Sequence, residues 1–317
     1  MSNPTYEYLV LGANGQDGIF MTRYLLKKNY SVLAVVRKKV KYLENLKKKF
    51  KNKLKIIINK NYQKKNFIQI FKNKIIRNIF FFAGFSKIPQ GMKEEKLCYE
   101  ANFKIFKNFL EFIVLIKQPA KILYINSSEI FGSVQKRKKN ENSKLKSSNF
   151  YGECKILTYK LIDLYVKKYS LFISNIIAYN HESCLSPNTH VISKFIRKFR
   201  NSKSKKVKVF NPNEYRNVSH VYDFLPMFEK VLKLKKPSNY VFANDENYKI
   251  IDIVHLINKL FYDNKFRILE ENKNEYSISR KANNDKIKKI FKYKPKYNLK
   301  NILLRLNSYD RKNFKLI

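Results

Sequence analysis

The stretch YLVLGANGQDGIF, residues 8–20, decides the fold of this chain. It holds three of the seven glycines found in 317 residues, Gly12, Gly15 and Gly18. Glycine adopts positive φ and leaves no side chain between the main chain and a ligand. An apolar run rich in strand formers precedes the glycines, and a run with helical spacing follows them. That order predicts a dinucleotide site, with the pyrophosphate on N–H groups at the helix N-terminus. The alternative is a plain tight turn.

The order of predicted elements indicates an α/β fold, a Rossmann-type doubly wound parallel sheet with a smaller C-terminal α/β lobe that binds substrate and closes over the cofactor. Residues 1–180 form the dinucleotide-binding domain, and residues 181–317 form mainly the lobe, with interleaved return segments. Predicted strands are 7–11, 31–36, 55–58, 78–83, 122–126, 172–179, 207–210, 240–243 and 266–269. Predicted helices are 19–28, 67–72, 95–116, 151–168, 191–200, 223–234 and 251–261, and residues 136–148 form a loop.

The chain is strongly basic, with 67 Lys and Arg against 24 Asp and Glu and a formal charge of +43. Such a charge suggests a nucleic-acid-binding protein. However, the lysines are dispersed over every predicted helix face, and Asn, Ile, Phe and Tyr are over-used along the whole chain. This pattern favours compositional drift, so we expect no nucleic-acid partner. A basic protein would still attract nucleotide diphosphates.

Other features of the sequence indicate a cytoplasmic protein. No segment has the length and apolar character of a membrane span, and the N-terminal residues do not have the pattern of a signal peptide. The hydrophobic fraction of 44% excludes a disordered chain. The cysteines, Cys98, Cys154 and Cys184, are widely spaced and odd in number. They predict reduced thiols rather than a disulfide framework or a metal site.

The second predicted strand ends in Arg37, followed by two lysines. In a site for NAD this position usually carries an acid that binds the ribose 2′-hydroxyl. A cation suits a 2′-phosphate instead, so the sequence favours NADP. The alternative is that Arg37 is one more of the many basic residues in this chain.

The segment NSSEIFG, residues 126–132, follows the fifth predicted strand, and YGECK follows at residues 151–155. Tyr151 and Lys155 are one helical turn apart and share a face. A nearby ammonium lowers the pKa of a phenol, which makes Tyr151 a candidate base. Ser127 could hydrogen-bond the same substrate oxygen. Tyr-x-x-x-Lys alone is common in a chain with 22 tyrosines, but here it follows a strand-end serine and a glycine turn.

These segments resemble the extended short-chain dehydrogenase/reductases, and among them the GDP-mannose 4,6-dehydratase family. The resemblance is carried by GANGQDG (12–18), by SSEIFG (127–132) with Tyr151 and Lys155, and by YNHES (179–183). Weaker similarity continues through EYRNVSHVYDF (214–224). The resemblance implies a hydro-lyase that uses NADP to convert GDP-mannose, or a related nucleotide sugar, to the 4-keto-6-deoxy sugar.

The resemblance also implies roles for individual residues. Those that bind the cofactor are Gly12, Asn14, Gly15, Gln16, Asp17, Gly18, Arg37, Ala83, Gly84, Ser86, Lys155 and His181. Those that bind the substrate are Ser86, Ser127, Ser128, Asn180, Glu182 and Arg216. The catalytic group is Ser127, Glu129, Tyr151 and Lys155. In it, Tyr151 takes the C4 hydroxyl proton, and Glu129 is the acid/base at C5 and C6. A simple dehydrogenase would not need that carboxylate.

The chain departs from the family pattern in ways that keep alternatives open. Cys184, Leu185 and Ser186 replace a proline and two arginines after the NHES motif. Residues 38–49 replace a serine-rich loop that helps tetramers form, so a homodimer through helices 95–116 and 151–168 is expected. A related epimerase or reductase remains an alternative, as does, in a different class, a basic nucleic-acid-binding protein with a degenerate site.

Overall fold

The computed structural model describes residues 5–60, 62, 64–134, 136–187, 190–272 and 278–308. Within this part of the chain, two compact units are distinguished. The first unit comprises the described residues of Met1–Ile130, Leu145–Ile177 and Leu225–Tyr240, and the second those of Phe131–Lys144, Ala178–Phe224 and Val241–Ile317.

A seven-stranded sheet is the centre of the fold. Its strands are β1 (Thr5–Leu11), β2 (Val32–Val36), β3 (Leu54–Ile58), β4 (Ile75–Phe81), β5 (Lys121–Ser127), β6 (Ile173–Ala178) and β11 (Asn239–Phe242). They lie in the order β11-β6-β5-β4-β1-β2-β3, with parallel pairing of β1 to both β2 and β4. The predicted α/β class with a parallel Rossmann-type sheet is confirmed. Because strand order reverses between β1 and β4, a crevice for ligands is expected at their carboxyl ends.

Strand β2 and the carboxyl-terminal parts of β1 and β4 are buried, as expected for a sheet covered on both faces. All five residues of β2, VLAVV, are buried. The helices of the first unit are α1 (Gln16–Lys27), α2 (Lys41–Lys49), α3 (Lys64–Phe71), α4 (Met92–Tyr99), α5 (Ile105–Leu115) and α6 (Phe150–Tyr169). A π-helical turn, Glu100–Lys104, joins α4 to α5, so the predicted helix 95–116 is one helical run that begins at Met92. Aromatic residues of α3, β4, α5 and β5 form much of the hydrophobic core of the first unit.

The second unit has smaller sheets and its own core. Its other strands are β7 (Asn180–Glu182), β8 (Lys206–Phe210), β9 (Tyr215–Arg216), β10 (Val218–His220), β12 (Tyr248–Lys249) and β13 (Arg267–Glu271). They pair as β10 with β7, β12 with β9, and β13 with β8. Its helices are α7 (Val191–Asn201), α9 (Ile250–Tyr262), α10 (Asp285–Phe291) and α11 (Leu299–Ser308), and α8 (Val221–Leu232) runs from the second unit into the first. Apolar side chains of α7, β8, α9 and α11 form the core of this unit.

Several elements differ from the sequence-based prediction. Residues 38–49 carried no predicted element, yet Lys41–Lys49 is helix α2, with Leu43 and Leu46 buried on one face. Two apolar residues among lysines give too short a pattern to predict a helix. The strand predicted at 240–243 is β11, which lies at the edge of the central sheet beside β6. Residues 225–240 belong to the first unit and residues 131–144 to the second.

The described residues also bear on the predictions about membrane spans and cysteines. None of the helices described is both long enough and apolar enough to cross a membrane. Cys98, Cys154 and Cys184 are buried free thiols, in agreement with the prediction of reduced cysteines.

Candidate functional site

The three glycines after β1 meet different requirements. Gly12 has φ +82°, and a Cβ atom there would lie 2.5 Å from the backbone nitrogen of Ala83. Gly18 is inside α1, where a Cβ atom would collide with the carbonyl oxygen of Gly12 and lie 2.6 Å from Cα of Ala13. Gly15 precedes α1, and the nearest atom to a Cβ there is 3.5 Å away. Gly12 and Gly18 are therefore needed for close packing of the turn, whereas Gly15 leaves the helix N-terminus open to a ligand.

A cleft lies at the carboxyl ends of β1 and β4, within the first unit. Its walls come from the glycine turn, the ends of β2 and β4, the segment after β3 and the helical run at 101–105. The lining residues are Gly12, Asn14, Gly15, Arg37, Tyr62, Phe82, Ala83, Gly84, Ala101 and Ile105. The first turn of α1 directs its N–H groups toward the N-terminus, where a helix favours an anion. Exposed Arg37 adds a cation, so the residues present fit a dinucleotide.

Most of the cofactor residues predicted for the first unit lie at this cleft or next to it. Gln16 and Asp17 are in the first turn of α1. Ser86 is exposed and is not among the lining residues. The sequence analysis missed Tyr62, Phe82, Ala101 and Ile105. Tyr62 is buried, which raises the pKa of its phenol to about 12. It follows a lysine- and asparagine-rich stretch that carried no site signal.

Lys155 is buried in α6 and lies beside Tyr151. Its ammonium donates hydrogen bonds to the phenol oxygen of Tyr124 and to the carbonyl oxygen of Ile125, both at 3.0 Å. Its Nζ atom is 5.7 Å from the centroid of the Tyr151 ring. Burial lowers the pKa of Lys155 to about 7. The predicted pair is thus brought together, with a cation close to the candidate base.

Glu129 follows β5 in a 3₁₀ turn, Ser128–Phe131, and is connected to the start of α6. Its backbone N–H donates to Ser127 Oγ at 3.2 Å, and its carboxylate accepts a hydrogen bond from Asn149 Nδ2 at 2.9 Å. Asn149 caps α6, because its Oδ1 accepts from the N–H of Gly152 at 2.9 Å. A Cβ atom at Gly152 would lie 2.7 Å from the Glu129 carbonyl oxygen. Asn149, which the sequence analysis missed, therefore holds Glu129 against the helix that carries Tyr151.

The remaining predicted residues are in the second unit. Strand β7 carries Asn180, His181 and Glu182, and it pairs with β10. Glu182 is buried, with its carboxylate 3.5 Å from His190 Nδ1. The guanidinium of Arg216 donates to the carbonyl oxygens of Tyr215 and Ile278 and is 3.5 Å from the Glu214 carboxylate. Arg216 thus links two segments of its own unit, and its role toward a substrate stays a prediction.

No three His, Cys, Asp or Glu residues group as a metal site within the described part of the chain. A parallel sheet with a glycine turn, and a helix carrying Tyr-x-x-x-Lys beside its fifth strand, define an extended short-chain dehydrogenase/reductase. The family profile described as GDP-mannose 4,6 dehydratase matches residues 9–305, so the chain belongs to that family, which is one of hydro-lyases.

A curated relative is similar to this chain over most of its length, and solved structures share its fold. A GDP-mannose 4,6 dehydratase of Drosophila melanogaster is 22% identical over 259 residues, which are 78% of this chain and 66% of the fly protein. The dTDP-glucose 4,6-dehydratase of Bacillus anthracis, solved with NAD, has a TM-score of 0.82 at 18% identity and covers 97% of each chain. RMD from Pseudomonas aeruginosa, solved with NADPH, has a TM-score of 0.75 at 14% identity, over 96% of this chain and 98% of that one.

Proposed function

We propose that this protein dehydrates a nucleotide sugar with NADP, converting GDP-mannose to GDP-4-keto-6-deoxymannose. The observation that carries the proposal is the hydrogen bond from Asn149 to Glu129, which holds a carboxylate at the start of the helix bearing Tyr151 and Lys155. A dehydrogenase or reductase needs the tyrosine and the lysine alone. Elimination of water requires an additional acid/base group, and Glu129 is that group.

The residues divide the reaction between them. A bound nicotinamide would take the hydride from C4 of the sugar and return it to C6. Tyr151 removes the C4 hydroxyl proton, and the Lys155 ammonium favours the phenolate by lowering its pKa. Ser127 orients the same oxygen. Once C4 is a ketone the C5 proton is acidic, and Glu129 removes it. The C6 hydroxyl then leaves as water, with its proton supplied by Glu129. After the hydride has returned to C6, C5 takes up a proton from water, and Tyr151 releases to water the proton that it took from the C4 hydroxyl.

The substrate is tested by mass spectrometry. The purified protein with NADP is incubated separately with GDP-mannose, dTDP-glucose and UDP-glucose. We expect loss of one water from GDP-mannose and no comparable change in the other two. Turnover of another sugar alone would overturn the choice of GDP-mannose and keep the reaction. Conversion of a sugar to its epimer without loss of water would overturn the dehydratase proposal itself.

Arg37 supports NADP as the cofactor because it is an exposed cation at the cleft. Replacing Arg37 by Ala should weaken NADP binding by about 10- to 100-fold, the equivalent of one lost charge-assisted hydrogen bond. NAD binding should change little, because NAD has no 2′-phosphate. Titration calorimetry with both cofactors measures the two effects. Lys38→Ala, an adjacent exposed cation outside the lining, is the matched control. Equal losses for NADP and NAD would contradict this role.

The helices α4 to α6 support a homodimer. They leave large apolar side chains exposed, among them Leu97 (53%), Leu115 (67%) and Leu164 (52%). Leu164→Glu should therefore convert a dimer to a monomer, as measured by light scattering, because a charge would be buried in the interface. Leu304→Glu, at a comparably exposed leucine of α11, should leave the dimer intact. A dimer that survives Leu164→Glu, or one that both variants disrupt, would contradict an interface on these helices.

A further inference from the structure

The hydrogen bonds around Lys155 continue beyond the residues of the proposed mechanism. Lys155 Nζ donates to the phenol oxygen of Tyr124 at 3.0 Å, and Tyr124 donates in turn to the carbonyl oxygen of Asn102 at 3.2 Å. A carbonyl oxygen can only accept. The Tyr124 proton is therefore directed to Asn102, and a lone pair of the phenol oxygen is left for Lys155. The hydrogen bonds thus run in one direction, from Lys155 to Tyr124 and from Tyr124 to Asn102. This direction favours Lys155 as a donor.

Asn102 lies in the π-helical turn Glu100–Lys104. A π turn interrupts the regular α-helical hydrogen bonds and is frequent at functional sites. The carbonyl oxygen of Asn102 is also 2.9 Å from the Thr158 hydroxyl of α6. The Tyr124 ring is fixed as well, since it is 1% exposed and packs on Phe106 with centroids 4.3 Å apart. Tyr124 is thus held at both its ring and its hydroxyl.

The side chain of Asn102 connects the same turn to the cofactor cleft. Its Oδ1 accepts from the N–H of Phe85 at 3.2 Å, and its Nδ2 donates to the Phe85 carbonyl oxygen at 3.1 Å. A Cβ atom on the neighbouring Gly84, which lines the cleft, would lie 2.8 Å from Asn102 Oδ1. One residue therefore fixes both the loop after β4 and, through Tyr124, the position of Lys155.

We infer that Tyr124 is a positioning residue for the dehydration reaction: its phenol oxygen, oriented by the Asn102 carbonyl, holds the Lys155 side chain and stabilises its ammonium form. This inference rests on the proposed roles of Tyr151 and Lys155. It adds a residue that contacts neither substrate nor cofactor and acts through Lys155.

The direction of the pH effect follows from the groups around Lys155. Tyr151 and Cys154 face it from α6, Cys98 from α4, and Tyr124 from β5. Burial lowers the pKa of Lys155, and the two thiols oppose that effect. Burial raises the pKa of Tyr124, so the phenol stays neutral at the pH of the reaction. Removing its oxygen takes an acceptor from the ammonium, and the pKa of Lys155 must fall further.

The test is Tyr124→Phe in the full-length protein. The kcat–pH profile should narrow from both sides. Its alkaline limb should move to lower pH because Lys155 loses its charge at lower pH. Its acidic limb should move to higher pH because Tyr151 is harder to ionise without a strongly charged neighbour. At pH 7, kcat should fall by about tenfold, with KM values for NADP and the sugar changed less than about twofold. A profile with unchanged limbs in a folded variant would overturn the inference.

A second measurement needs no substrate and so separates this inference from the proposed function. The protein is labelled with ¹³Cε-lysine, and its NMR signals are titrated with pH, the Lys155 signal being assigned by its absence in Lys155→Arg. Tyr124→Phe should move the Lys155 midpoint down by about one pH unit. If wild type fails to convert any nucleotide sugar, the proposed function is wrong, yet this titration still decides the role of Tyr124. An unmoved midpoint would overturn it.

Two further variants distinguish a specific role of Tyr124 from a general disturbance of the structure. Tyr124→para-aminophenylalanine keeps the ring and a donor for Asn102 but offers Lys155 a poor acceptor, so it should lower the Lys155 midpoint as the Phe variant does. It also decides the question if Tyr124→Phe does not fold, and an unmoved midpoint would again overturn the inference. Tyr24→Phe is the matched control, since it removes a phenol that donates to Glu229 at 2.8 Å. It should leave the midpoint and the pH profile unchanged, and an equal change would contradict a specific role for Tyr124.

Discussion

Glu129→Gln is expected to stop water elimination while leaving oxidation at C4 in place. Glutamine is nearly isosteric and can still contact Asn149, whose Nδ2 donates to the carboxylate at 2.9 Å. It cannot remove the C5 proton, so overall dehydration should fall by about 10²- to 10⁴-fold, the usual contribution of a general base. Tyr151 and Lys155 are unaffected, and a single turnover should therefore accumulate reduced cofactor, which is followed by its absorbance.

The matched control is Glu153→Gln, which removes an exposed carboxylate from the first turn of the same helix. It should leave both steps at the wild-type rate. If Glu129→Gln still releases water at the wild-type rate, Glu129 is not the acid/base. If the variant also fails to reduce the cofactor, its role is to organise the site rather than to remove the C5 proton.

Alanine substitutions at Gly18 and Gly15 are expected to differ in their effect on stability, although both should weaken NADP binding. At Gly18 the new methyl group would collide with the backbone of Gly12 and Ala13, neither of which can move without displacing the turn. We expect a loss of about 1–3 kcal/mol in the free energy of unfolding, as for other overpacked sites. Urea denaturation measures the loss, and NADP binding should weaken with it.

At Gly15 the backbone geometry is that of ordinary extended structure, with φ −80°, and the added methyl group has space. The unfolding free energy should change by less than about 0.5 kcal/mol. The methyl group would, however, enter the cleft at the N-terminus of α1, so NADP affinity should fall by at least about tenfold. Calorimetry and urea denaturation on both variants separate the two effects. Equal destabilisation by both substitutions would contradict the distinction drawn between these glycines.

The sequence predicted those parts of the fold that depend on local pattern. The alternation of apolar strands and helices indicated the parallel sheet, and the spacing of Tyr151 and Lys155 placed both on α6. Helix α2 was missed because its buried face consists of Leu43 and Leu46 among lysines, a signal hidden by the basic composition. Strand β11 was recognised as a strand but not as part of the central sheet, because its partner β6 is distant in the chain.

The supporting residues of the candidate site could not be predicted in the same way. Asn149, Asn102 and Tyr124 act through hydrogen bonds between segments that only the fold brings together. Their residue types are common in this chain, so no spacing marks them. Tyr62, which lines the cleft, could not be predicted for the same reason, because its segment carries no motif. The motif residues were thus visible in the sequence, whereas the residues that hold them in place required the structure.

The return of the hydride to C6 is the central claim of the proposed reaction, and an isotope measurement tests it directly. The protein and NADP are incubated with GDP-mannose that carries deuterium at C4, and the product is examined by mass spectrometry and NMR. We predict a product that has lost one water and carries the deuterium in its C6 methyl group. Deuterium that is found on the released cofactor, or retained at C4 of an unchanged or epimerised sugar, would contradict the proposal.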